Sequence, residues 1–152
     1  MRLTRAGEYA IRCVLYLAMH QDRAIISRKE IAEAMEIPAQ FLGKVAQNLA
    51  RAGIIAIRQG ALGGYEMVKA PEAVSLLSVV EAIDGEIFLN DCIHRPDTCT
   101  RQTICSVHRV WETARRQLRE TLAGTTLAAL AREEEQACAK RPKRPSQIDA
   151  GG

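Results

Sequence analysis

Apolar positions along this chain fall into short periodic stretches divided by turn signals, and their spacing predicts mostly helix. Behind Thr4, a capping residue, Ala6, Tyr9, Ala10, Cys13, Val14, Leu17 and Ala18 recur at three- and four-residue steps, so a first amphipathic helix is expected to end near His20. Cys13 on that stripe reads as a small buried hydrophobe. Ser27-Arg28-Lys29-Glu30 has the form of a capping box and predicts a short helix as far as Met35. Ile37-Pro38 breaks it and starts another, with Phe41, Leu42, Val45, Ala46 and Leu49 as inner face and Gly53 placed to close it. Two helices joined by so short a turn form a helix-turn-helix. Next come the β-branched Ile54-Ile55-Ala56-Ile57-Arg58, the turn material Gln59-Gly60-Ala61-Leu62-Gly63-Gly64 and a second extended stretch, Tyr65-Glu66-Met67-Val68. A hairpin directly behind a helix-turn-helix is the layout of a winged helix.

Leu76, Leu77, Val79, Val80, Ala82 and Ile83 predict a further helix stopped at Asp84-Gly85, and Glu86-Ile87-Phe88-Leu89 reads as extended. Later, Val107, Val110, Trp111, Ala114, Leu118 and Leu122 hold a seam longer than so small a core needs, which predicts a dimer contact. Thr125 to Leu130 reads as a capped helical turn, and from Arg132 the run of charge predicts a disordered tail, with Cys138 in it non-ligating. The expected class is mainly α with a small β-wing: a winged helix-turn-helix over residues 1–84, a loop over 85–108, a long dimerisation helix with a C-terminal turn over 104–131, and the tail over 132–152.

The polar positions then suggest chemistry. Gln40, Lys44, Gln47 and Arg51 stand at steps of four, three and four, so they share one outward stripe of the second helix beside Asn48. Those side-chain types pair with base edges and phosphates in a DNA major groove. Arg58 and the glycines of the wing can approach a DNA backbone or minor groove. A net charge of +3 on 152 residues fits one basic face, and 4% aromatic content argues against a single-strand binder built on stacking platforms. No nucleophile-base-acid constellation and no phosphate loop is present, so an enzyme is not expected.

Composition also draws attention to one loop. Three of the five cysteines and two of the three histidines fall between Cys92 and His108. The N-terminal stretch has no signal-like apolar run and no segment is apolar for the ~18 residues of a membrane span, which predicts a cytosolic protein without membrane partners. In that compartment cysteines are read as metal ligands or redox thiols before disulfides. The loop is therefore expected to be a metallocluster site.

In this order, Met1-Arg2-Leu3-Thr4, Tyr9-Ala10-Ile11-Arg12, the Leu-x-x-Ala-Gly-Ile-Ile that ends the second helix, Gly63-Gly64-Tyr65, Val79-Val80-Glu81-Ala82-Ile83-Asp84-Gly85 and the cysteine loop resemble the Rrf-type winged-helix regulators of bacteria from Met1 to about Leu130. That family includes regulators of iron–sulfur biogenesis and nitric-oxide sensors. The resemblance implies a DNA-binding transcription regulator, and a repressor within that class. It implies homodimers that read palindromic double-stranded operators, with half-sites about 34 Å apart. Arg2, Arg5, Lys44, Arg51, Arg58 and Gln59 are then expected at the DNA, with phosphate contacts from Arg5, Lys44, Arg51 or Arg58. It also implies an iron–sulfur cluster on Cys92, Cys99 and Cys105, with His108 as favoured fourth ligand in a [2Fe-2S] centre. Glu8, donated by the neighbouring subunit, is the competing ligand and would fit a [4Fe-4S] site; His94 lies inside the loop as a weaker substitute.

Some positions depart from the family pattern. The spacing of six residues between Cys92 and Cys99 is long, Gln59 and Ala61-Leu62 stand where glycine is typical, and Gly43 is small for its place. Zinc in the same Cys3His set, with no sensing role, is the physical alternative. A winged helix that binds protein partners is the functional one.

Overall fold

The structure is a computed structural model that describes residues 3–141. Its helices are α1 (Arg5–Met19), α2 (Arg28–Ala34), α3 (Ala39–Arg51), α4 (Leu76–Asp84), α5 (Asp91–His94), α6 (Ser106–Ala123) and α7 (Leu127–Ala139), and the hairpin β1 (Ile55–Arg58) and β2 (Gly64–Met67) lies between α3 and α4. It is mainly α with a two-stranded wing, as the sequence predicts.

Local signals set the helix ends. The Thr4 side chain accepts from Gly7 N–H and that of Ser27 from Glu30 N–H, which satisfies one orphan donor in each first turn. α3 closes through Gly53, at φ 69°, with Gly53 N–H donating to Ala50 O and Ile54 N–H to Leu49 O, both at 3.0 Å. That paired closure needs the left-handed conformation glycine reaches without strain.

Ala10, Cys13, Val14 and Leu17 of α1 face Leu42, Val45, Ala46 and Leu49 of α3 in one core with Ile26, Ile31, Val79 and Leu127. Each such aliphatic chain contributes about 1.5–3 kcal/mol by leaving water. Burial pushes the Cys13 thiol up to about 12, so it is an inert core group as expected. Phe41 is a correction: it is 45% exposed and meets only the edge of the core, with its ring 5.9 Å from that of Tyr9.

The capping box forms only by half. Glu30 turns away from Ser27; its carboxylate accepts from the Tyr16 hydroxyl at 2.8 Å and from both terminal nitrogens of Arg23, tying α1 to α2. Arg23 first and Tyr16 second hold the Glu30 carboxyl down at about 2, against 4.5 for the free group. A carboxylate depressed on folding stabilises the fold above its unfolded value and loses that contribution as pH falls toward the folded one. Glu30→Gln should therefore lower the melting temperature at pH 7 and flatten its decline between pH 4.5 and 2. Parallel acid limbs for the two proteins in thermal melts across that range would refute the assignment.

The wing is antiparallel, with Ile55 opposite Met67 and Arg58 opposite Gly64. It is joined to the core by a bridge no sequence pattern announced: Ile26 N–H donates to Tyr65 O at 3.0 Å and Tyr65 N–H to Ile26 O at 2.9 Å.

Two expectations change beyond the wing. Glu86 to Leu89 form no strand; the segment is irregular, with Ile87 buried. The charged stretch from Arg132 is not disordered through its length, because α7 continues to Ala139. Leu127, Ala128 and Ala131 seat that helix against α1, and Leu127 N–H donates to Val74 O at 2.9 Å. Packing of its first two turns carries the acidic run along as exposed helix. Residues 142–152 of the predicted tail, and Arg2, lie outside the described residues. Among the described residues no helix is long and apolar enough to cross a membrane.

Candidate nucleic-acid interface and ligand loop

The buried face of α3 determines what its other face offers. With Leu42, Val45, Ala46 and Leu49 inward, Gln40, Lys44, Gln47 and Arg51 are all exposed on the opposite side. Asn48 is half-buried, and its Oδ1 accepts from Arg51 Nη1 at 3.1 Å, so it orients a cation at the end of the stripe. Between α3 and the wing runs a groove of about 280 Å³ lined by Arg28, Gly43, Gln47, Arg58, Gln59 and Tyr65, among others. Gln47, Arg58 and Gln59 thus meet at one concave surface, while Arg5 stands exposed at the start of α1, apart from that lining.

Arg58 carries a partner the sequence reading missed. Its Nε donates to Glu66 Oε1 at 2.8 Å and its Nη2 to the same oxygen, so the wing holds its arginine by a carboxylate on the neighbouring strand. Arg28 was missed as well. Its Nη2 donates to Ala39 O and its guanidinium lies against Gly43 of α3. The small residue at 43 was its available signal.

The cysteine loop is a chain of short turns. Cys92 lies on α5, Cys99 follows a single 3-10 turn at Pro96–Thr98, and Cys105 follows another at Gln102–Ile104 and directly precedes α6. All three thiols are free and half-buried. His94 is exposed and stacks on Phe88, with ring centroids 4.3 Å apart. His108, in the first turn of α6, is 7% exposed, its Nδ1 has no hydrogen-bond partner, and its Nε2 lies 3.5 Å from Glu112 Oε1. Glu8 is half-buried in the first turn of α1. Among the described residues no three His, Cys, Asp or Glu side chains converge closely enough to hold one metal ion. The predicted ligands from Cys92 to His108 are therefore near one another along the chain without being gathered, and Glu8 is remote from them in sequence.

A clamp fastens the base of this loop to α6. Arg119 pairs with Glu81 of α4, Arg115 pairs with Glu86 and donates Nε–H to Ile87 O at 2.6 Å, and Ile87 N–H donates to Glu81 Oε1 at 3.3 Å. The segment entering the loop is thereby held between the winged domain and the long helix. On α6, Val107, Val110 and Trp111 are 51%, 62% and 41% exposed, with Ile104 just before them at 75%. Three exposed large apolar side chains on one helix and a fourth just before it are more than a solvated helix face needs.

The pattern of the Rrf2 family, described as an iron-dependent transcriptional regulator, matches residues 3–133. The chain is 31% identical over 133 residues to the protein rrf2 of Nitratidesulfovibrio vulgaris, covering 88% of this chain and 89% of that one. It is 29% identical over 135 residues to the HTH-type transcriptional regulator IscR of Vibrio cholerae, covering 89% and 78% respectively. Its fold matches that of CymR, the global cysteine regulator of Bacillus subtilis, with a TM-score of 0.72, 23% identity and 88% and 98% of the two chains covered. The chain belongs to the Rrf2 family of winged-helix, DNA-binding transcriptional regulators and is not an enzyme.

Proposed function

We propose that this chain is a homodimeric regulator, of the repressor type, whose binding to a palindromic operator is set by an iron–sulfur cluster on Cys92, Cys99, Cys105 and His108, with [2Fe-2S] the favoured form. The observation that carries the reading is His108, a buried imidazole whose Nδ1 faces no partner although it begins the helix that the cysteine loop enters. Leaving such a nitrogen buried and unpaired costs about 1–3 kcal/mol, and coordination would satisfy it. The donor chemistry fits as well, since three free thiols and an imidazole are the side chains of a mixed Cys/His centre. Relatives named IscR and a family described as iron-dependent support it.

A bound cluster would supply a one-electron couple responsive to iron supply, redox state or nitric oxide. The remaining steps belong to the protein. Gathering the thiols requires the short turns between Asn90 and Cys105 to draw together. Because Arg115 and Arg119 clamp the entry of that loop to α6, a rearranged loop shifts α6 against α4 and hence against α3. If Val107, Val110 and Trp111 pack against the same residues of a second copy, that shift resets the separation of the two α3 helices.

Full-length protein purified without oxygen tests this. About two iron and two acid-labile sulfide per chain are expected. His108→Ala should alter the visible absorption spectrum and speed iron loss, while Glu8→Ala leaves both unchanged. The opposite pattern would assign the fourth ligand to Glu8 of the neighbouring subunit and favour [4Fe-4S]. Stoichiometric zinc without sulfide would sink the sensing role and leave a structural staple.

A further inference from the structure

We propose that Arg28, a residue of α2, is a base-reading side chain of the DNA interface, lent to α3 at Gly43, where that helix has no side chain of its own. The inference rests on the outward stripe of α3 being the surface that reads DNA. Gly43 falls three residues after Gln40 and four before Gln47, so it lies within that stripe, in the half of the helix that typically meets base edges. A glycine inside a helix weakens it, which calls for a local reason. The reason here is contact: a Cβ at residue 43 would lie 3.2 Å from Arg28 Nη2, 3.3 Å from Cζ and 3.4 Å from Nη1. The whole guanidinium therefore rests on the helix where the side chain would have been.

Its bonding leaves it free to act. Nη2 donates to Ala39 O, and among the described residues no carboxylate lies within ion-pair distance of Arg28. Arg58, across the same groove, is by contrast committed to Glu66. A guanidinium carries five N–H donors in a planar fork, and among the described residues only Nη2 is engaged, so Arg28 keeps donors for a ligand in the groove it lines with Gln47 and Gln59. Being already seated on α3, it loses little rotamer freedom on binding. That fork matches guanine O6 and N7, the commonest specific contact in the major groove, and its place amid the stripe favours a base over a peripheral phosphate.

The test is selection from randomised DNA duplexes by the full-length protein and its Arg28→Ala, Arg28→Lys and Gly43→Leu variants, with the melting temperature and salt dependence of each. Wild type should select a palindrome with guanine at one symmetric pair of positions. Arg28→Ala should lose that guanine preference alone and bind the selected site roughly tenfold to a hundredfold more weakly, and Arg28→Lys should not restore it. Gly43→Leu puts a side chain where the guanidinium now rests and improves helix propensity, so it should lose the same preference with no fall in melting temperature. Uniform weakening with the preference intact and a smaller salt slope would make Arg28 a phosphate contact and overturn the proposal. Retained preference in Gly43→Leu would overturn it too, as would loss of all preferences in step with stability. Failure of the wild type to select any sequence would overturn the underlying reading of α3, and shows before any substitution is made.

Discussion

Gly64→Ala should destabilise the protein by about 3 kcal/mol, seen as a fall in melting temperature of roughly 10 °C. The cause is backbone against backbone: an added Cβ would lie 2.0 Å from Ile26 O and 2.6 Å from the carbonyl carbon of the same residue. A clash with a flexible side chain relaxes cheaply, but this one cannot, because Ile26 is buried in the core and its carbonyl is the acceptor for Tyr65 N–H. Relief requires parting the two hydrogen bonds between Ile26 and Tyr65, each worth about 1 kcal/mol net, and loosening the buried Tyr65 beside them. The wing would then lose its hold on the helices, and DNA affinity should fall together with stability. Leu62→Ala is the control, since Leu62 is 93% exposed at the wing tip. If the two variants melted within a degree or two of each other, the wing would not be anchored at Gly64.

The second large effect concerns charge. Lys44→Ala with Arg51→Ala leaves the core face of α3 untouched, because both side chains are exposed on the opposite side. In a dimer the pair removes four cations from the interface. Each phosphate contact on duplex DNA contributes about 0.9 to the slope of log affinity against log salt, so the slope should shrink by roughly 3.6 and affinity at physiological salt should drop about a thousandfold. Base preference among the sites still bound should persist, since phosphate contacts set position more than sequence. Fluorescence anisotropy on one labelled duplex across a salt series reads both quantities. An unchanged slope would show that DNA does not approach this stripe. Asn48→Ala should give a smaller effect in the same direction, because Asn48 Oδ1 only holds Arg51 in place.

Parts of this architecture could be seen in the chain before any coordinates, for identifiable reasons. The helix-turn-helix was legible because capping residues, a proline break and apolar spacing all act within a few residues of one another. The outward stripe followed directly, since burying one face of α3 leaves the other face no choice. The cysteine loop was visible by composition alone. What stayed hidden depended on partners distant in sequence. Glu30 looked like half of a capping box, but Arg23 and Tyr16 offered it stronger donors than the Ser27 backbone did. Phe41 continued the apolar stripe of α3, yet Leu42 one residue on takes the buried place and leaves the ring at the edge. α7 was read as a turn and a tail because its outer face is acidic, whereas Leu127 and Ala131 inside decide its fate.

Local chemistry therefore determined the helix-turn-helix and its wing, their order, the polar face of α3 and the cluster of cysteines and histidines between Cys92 and His108. Contact between remote segments decided the rest. Packing of α7 on α1 extended the domain past the predicted tail boundary, the Ile26–Tyr65 bridge seated the wing, and the seating of Arg28 on Gly43 completed the groove. Periodicity reports which side of a segment avoids water, because that depends on the segment alone. It cannot report which remote surface will cover that side, nor which distant donor a carboxylate or carbonyl will accept, because those depend on the closed chain.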